Sequence, residues 1–152
     1  MVFEIITQES LEIVMDIVNS NSSYNVLENG NPLRTIQELS SEFLNSSTES
    51  YLVKHEERYI GIIDFLNNNP KDNHPWIGLL MIHRDYHSMG YGKKAYLSFE
   101  EKIIHQKLFK SVRLAVIKSN KEAIVFWKSL GFKFYDNSEW DGRVVGCYEK
   151  HL

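Results

Sequence analysis

The stretch that most constrains this chain runs from Trp76 to Gln106. The near-continuous apolar run Trp76–Ile82 reads as a strand buried on both faces, because a half-solvated strand would alternate. A polar loop follows, then Gly90-Tyr91-Gly92. Ala95, Phe99 and Ile103 then share one stripe, which predicts a helix over Tyr91–Gln106. A buried strand that feeds a long helix fits a mixed α/β sheet with helices on its faces.

The glycines leave two readings open. A helix N-terminus has N–H groups without partners and carries partial positive charge. Glycine permits φ > 0 and a close approach of backbone to ligand. Together they suit a phosphate, and Lys93 and Lys94 add positive charge nearby. The plainer reading is a helix entrance that needs flexible residues, with the lysines in solvent. Two familiar phosphate loops are excluded. The P-loop pattern fails because Lys94 follows Gly92-Lys93 and His87 stands where its first glycine belongs. The dinucleotide fingerprint matches Gly90–Ala95 as a string. However, Gly90 lies eight positions beyond Ile82, and Leu114–Ile117 ends without an acid.

The remaining elements are consistent with one domain over residues 1–152. Val2–Thr7 reads as a strand and Ser10–Asn19 as an amphipathic helix. Asn21–Asn31 reads as a polar loop holding Tyr24 and Glu28. The capping box Thr35–Glu38 opens a helix to about Leu44. Tyr51–His55 and Tyr59–Leu66 form a hairpin, and Asn67–His74 reads as a loop. Ser111–Ile117 is a strand, and Ser119–Glu122 reads as a second capping box before a helix to Leu130. Gly131 is placed as that helix's C-cap. Lys133–Tyr135 and Val144–Glu149 close the sheet around Asp141-Gly142.

A formal charge of −3 argues against a nucleic-acid binder. No apolar run approaches the roughly 18 residues of a membrane span. The N-terminus MVFEIITQES lacks a signal-peptide pattern, and Cys147 is the only cysteine, so the cytoplasm is the expected compartment. The histidines show no metal spacing, so no metal is expected.

His87-Ser88-Met89-Gly90-Tyr91-Gly92 sits between a central strand and a helix. Downstream come the strand Leu114–Ile117, Asn120 at a helix start, Trp127, and Ser129-Leu130-Gly131-Phe132. In this order and spacing the chain resembles the GCN5-related N-acetyltransferase (GNAT) superfamily over essentially its whole length. The resemblance implies a mixed, mostly antiparallel sheet of about seven strands flanked by about four helices. It implies acetyl-CoA as cosubstrate and an acceptor that is a small-molecule amine or a peptide amino group. The backbone of Ser88, Met89, Gly90, Tyr91, Gly92 and Lys93, after His87, would hold the pyrophosphate. Leu80, Met81 and Ile82 would bond the pantetheine as an added strand does. Asn120 would bond the pantetheine, and Trp127 would lie beside the thiol. Relatives usually carry Gln or Arg at position 87, often Gly at 88, and in many cases Tyr at 127. An indole N–H is no acid near neutral pH. That departure keeps a second reading alive, a CoA-binding regulatory module without acetyl transfer.

Direct attack by an amine needs a proton acceptor. Asp64 is the first candidate, a carboxylate inside the apolar run Ile60–Leu66 where burial is costly. It also reads as a strand-end residue bonding a nearby loop. His83 has a suitable ordinary pKa, yet also reads as a solvated strand end. By position, Tyr24 and Glu28 would shape the acceptor pocket. Trp76, Trp140 and Cys147 read as packing. The chain is expected to be a monomer or homodimer.

Overall fold

The computed structural model describes residues 1–152. Seven strands form one sheet: β1 (Val2–Ile5), β2 (Glu49–His55), β3 (Arg58–Asn69), β4 (His74–Ile82), β5 (Ser111–Ile117), β6 (Lys133–Trp140) and β7 (Arg143–His151). Their order is β1-β2-β3-β4-β5-β7-β6, and only the β4–β5 pair is parallel. The helices are α1 (Leu11–Asn19), α2 (Ser22–Asn29), α3 (Ile36–Phe43), α4 (Tyr91–Phe99) and α5 (Lys121–Ser129). A π turn over Glu100–Ile104 and a 3-10 turn over His105–Lys107 carry α4 onward. No helix is long and apolar enough to cross a membrane.

Strand alternation sorts the core onto two faces. Ile63 and Phe65 of β3 join Val112, Leu114 and Val116 of β5 beneath Ala95, Tyr96 and Phe99 of α4 and Trp127 of α5. The other face carries Leu52, Ile62 and Met81 under Leu11, Val14, Ile17 and Val18 of α1 and Leu39 and Phe43 of α3. Opposite the α4–α5 face, neither of these helices covers β5, β7 and β6. Arg113, Ala115, Val145 and Cys147 there line a large cleft instead.

The fold corrects several expectations. Asn21–Asn31 is not a loop, because α2 occupies Ser22–Asn29 and Gly30 ends it at φ +81°. The asparagines that suggested a loop are buried connectors. Asn21 Nδ2 donates to Ile17 O and Ile82 O, both at 3.0 Å, and Asn25 Nδ2 donates to Val18 O and Pro32 O, both at 3.0 Å. With α2 the flanking helices number five, in keeping with the expected sheet of about seven strands and about four helices. The loop predicted over Asn67–His74 shrinks to residues 70–73, since Asn69 pairs with His74 across the hairpin. The closing strands run longer than predicted, because every residue of edge strand β6 is exposed and no apolar pattern marks it. The Thr35–Glu38 capping box forms as predicted. The second box does not, for the cap of α5 is Asn120 rather than Ser119.

Candidate active site: a wedge between β4 and β5

β4 and β5 pair only at Trp76↔Arg113. Gly78 is the cause on the β4 side. Asp64 faces Leu79 and Phe65 faces Ile77, so Gly78 is an extra, bulged residue that bends the strand. Past it β4 keeps β3 on one edge, and its other edge opens onto a wedge. An unpaired edge offers a row of N–H and C=O groups that an extended ligand can join as a strand. Leu80, Met81 and Ile82 line that wedge.

At the wide end of the wedge the loop turns into α4. Ser88 has φ +61° and Gly90 φ +79°. The N–H groups of residues 88–93 make no well-formed hydrogen bond within the chain; the first bonded one is Lys94 N–H, to Gly90 O at 3.2 Å. Free amides at a helix start are the kind of arrangement that suits an anion, one of the two readings the sequence left open. The two glycines serve different needs. Gly90 supplies the left-handed cap, with open space around it. Gly92 lets α5 approach, since a Cβ there would lie 3.3 Å from Phe126 Cε2. Ser88, Met89, Lys93 and Lys94 are exposed. His87 Nε2 donates to Ile82 O at 2.7 Å and pins the loop to the end of β4.

Across the wedge, Asn120 Oδ1 accepts Ala123 N–H at 3.2 Å and caps α5, while its Nδ2 has no partner in the chain. Trp127 lies one face deeper, 8 % exposed, with ring contacts to Tyr96, Phe126 and Phe132 at 5.0–5.4 Å. It is first a core residue, although one edge reaches the cleft.

One cleft of about 1270 Å³ joins the β4 edge, His87, Asn120 and Trp127 to the predicted acceptor residues, while residues 88–93 follow His87 without lining it. Leu80, Ile82, His87, Asn120 and Trp127 line it together with Asp64, Tyr24 and Glu28. Tyr24 and Glu28 sit one turn apart on α2. Burial pushes the Tyr24 phenol up, and burial followed by the Glu42 charge pushes the Glu28 carboxyl up. Asp64 is buried, and Ser50 Oγ donates to its Oδ1 at 2.5 Å. Burial raises its pKa most, the Ser50 and Thr48 hydroxyls oppose that, and Glu42 adds to it.

His83 is not brought to the cleft. It opens a 3-10 turn, its Nδ1 accepting Asp85 N–H at 3.1 Å, with Nε2 3.3 Å from Asp16 Oδ2. Trp76 Nε1 donates to Asp72 at 2.9 Å, and Arg113 bridges Asp72 and Glu149 at 3.1 and 2.6 Å. Trp140 departs from the packing expectation, being 46 % exposed where β6 lines the cleft. Burial pushes the Cys147 thiol up, which disfavours the thiolate a nucleophile needs. Two residues went unnoticed in the sequence, Gly78 and Ser50. A glycine inside an apolar strand is itself a bulge signal, so Gly78 was findable. Nothing local marks Ser50.

Comparison with curated proteins finds no match. Solved structures do match in fold. An acetyltransferase from Thermus thermophilus superimposes with TM-score 0.83 at 17% identity, covering 99% of this chain and 96% of that one. The PaiA N-acetyltransferase from Thermoplasma acidophilum, solved with coenzyme A, gives 0.71 at 19% identity, with 100% of both chains covered. The ribosomal-protein-S18-alanine N-acetyltransferase from Escherichia coli gives 0.72 at 12% identity, covering 99% and 92%. A model of the acetyltransferase (GNAT) family matches residues 13–132, which take in the wedge, the glycine loop, Asn120 and Trp127. This chain belongs to the acetyltransferase (GNAT) family.

Proposed function

We propose that the protein is an acetyl-CoA-dependent N-acetyltransferase acting on a primary amine of a small molecule or of a peptide or protein. The observation that carries this reading is an unpaired β4 edge and a carboxylate opposite the β4 bulge in one cleft, with the free amides of residues 88–93 following directly on His87, which lines it. In this reading the free amides of residues 88–93 hold the pyrophosphate, the edge at Leu80–Ile82 aligns the pantetheine, and Asn120 Nδ2 donates to it. Acetyl-CoA, when bound, supplies an acetyl group activated as a thioester.

The chain's part is to orient and to move a proton. An alkyl amine with a pKa near 10.4 is mostly protonated at neutral pH. The ammonium gives its extra proton to water on entering the cleft, and Asp64 takes the second proton, the one the nitrogen must lose as it bonds the acetyl carbon. The amine nitrogen bonds the acetyl carbon as the carbon–sulfur bond breaks, and the sulfur leaves with its electron pair. Trp127 cannot protonate that sulfur. A thiol with a pKa near 8.5 departs as thiolate without such help. A β4 N–H facing the wedge supplies a fixed donor for the charge developing on the carbonyl oxygen.

Calorimetric titration with acetyl-CoA, run beside a thiol-release screen over diverse amines, tests the reading. Binding with amine-dependent release is expected. Binding without release from any amine would favour the CoA-binding module, for which the indole at position 127 is the specific observation. No binding would refute both.

A further inference from the structure

We propose that Ser50 is the positioning residue for Asp64 and that Gly78 is the opening through which the acceptor amine reaches it. The proposal rests on the acetyl-transfer reading above.

Ser50 and Asp64 are 4 % and 8 % exposed, two polar side chains within an apolar layer. They are direct cross-strand partners, Ser50↔Asp64 on β2 and β3, so their side chains share a face. The Ser50 hydroxyl donates to Oδ1 at 2.5 Å, and Thr48 Oγ1 lies 3.4 Å behind Ser50 Oγ. Oδ2 receives no hydrogen bond of good geometry from the chain. The serine therefore fixes one oxygen and leaves the other to act.

Oδ2 points at the one place on β4 with no side chain. A Cβ at Gly78 would lie 3.0 Å from Asp64 Oδ2 and 3.3 Å from Leu66 Cδ1. The backbone at Gly78 does not have positive φ, so no conformational need calls for glycine there. What the glycine provides is space. Asp64, Leu66 and Gly78 all line the cleft, so the gap above Gly78 leads from the cleft to Oδ2. The bulge that splays β4 from β5 thus also uncovers the base. In the proposed step the amine N–H proton passes to Oδ2 as the nitrogen–carbon bond forms and the carbon–sulfur bond breaks. Water in the cleft later takes the proton from Asp64.

Ser50 sets the pH at which Asp64 works as well as its direction. The groups facing the carboxyl are Ser50 and Thr48 from β2 and the segment leading into it, Glu42 from α3, and the side-chain-free Gly78 from β4. Glu42 is the only charged one, so the hydroxyls are what offsets burial.

The test uses the full chain as parent, Ser50→Ala, Ser50→Thr, Gly78→Ala and Asp64→Asn, with acetyl-CoA and the amine giving most thiol release. Asp64 is also titrated directly by carboxyl 13C NMR. Ser50→Ala should raise the Asp64 pKa and move the acidic limb of the kcat/KM profile to higher pH in parallel. Ser50→Thr should restore both. Gly78→Ala should lower kcat/KM for the amine at least tenfold with acetyl-CoA affinity within twofold of the parent. A Ser50→Ala variant whose Asp64 titrates higher while the limb stays put would reduce the pair to a stitch between strands and overturn the proposal. Parental turnover by Gly78→Ala would overturn it too. If the parent itself binds acetyl-CoA but releases no thiol with any amine, it is the acetyl-transfer reading that fails, and the proposal falls with it.

Discussion

Asn120 carries two jobs on two atoms, and substitution can separate them. Its Oδ1 caps α5 through Ala123 N–H, and its Nδ2 has no partner in the chain, in a residue that lines the cleft. Asn120→Ala removes both atoms. Loss of an N-cap costs about 1 kcal/mol of stability, and in a domain of this size that lowers Tm by about 2–4 °C. Loss of one neutral hydrogen bond to the ligand costs about 1 kcal/mol, roughly fivefold in Kd for acetyl-CoA. Asn120→Asp keeps an oxygen at the cap and places a negative charge at a helix N-terminus, where it is favourable. Its Tm should equal or exceed the parent's. Its affinity should fall at least as far as that of Asn120→Ala, because a second acceptor replaces the donor. Calorimetric titration gives the affinities and a thermal scan gives Tm. An Asn120→Asp protein that binds acetyl-CoA like the parent would refute the role of Nδ2. Unchanged stability in Asn120→Ala would refute the cap.

Other outcomes follow from the same geometry. Burial raises the Asp64 pKa in the folded state, so its ionisation disfavours folding, and this destabilisation sets in as pH rises through the unfolded-state and then the folded pKa. The Tm of Asp64→Asn relative to the parent should therefore climb as pH is raised from the acid side, in parallel thermal scans, while its turnover falls by about 10² or more. His83→Ala should cost about 1 kcal/mol of stability, seen in denaturant titration, through loss of the turn contact at Asp85 N–H. Its thiol-release rate should stay within twofold of the parent, since the ring lies off the cleft. Gly90→Ala should cost about 1 kcal/mol in the same titration, from the left-handed φ alone because the site is open. Gly92→Ala instead meets Phe126 and should perturb the α4–α5 contact, visible in near-UV circular dichroism.

Where burial and local chemistry agree, the sequence was legible. Trp76–Ile82 had to be a central strand because its apolar residues run without alternation, and Ser111–Ile117 is found with the predicted ends. Thr35 and Glu38 announced their helix because a capping box is made within four residues. Gly90 announced the entry to α4, since only a residue tolerant of positive φ suits that cap. These determinants are local, so a single sequence displays them. Other features were decided by partners distant along the chain. The asparagines at α2 look like loop residues until Ile82 O, 61 positions from Asn21, accepts a hydrogen bond from its side chain. The edge strand β6 has no pattern because it has no covering layer. His83 and Asp64 looked alike as proton acceptors. Pairing with Ser50 and the bulge at Gly78 bring Asp64 to the cleft, while Asp85 and Asp16 hold His83 away from it. The residue types therefore determined the central strands, the Thr35 cap and the glycine entry to α4. Which carboxylate faces the wedge was set by cross-strand register, a property of paired strands that neither strand's sequence contains by itself.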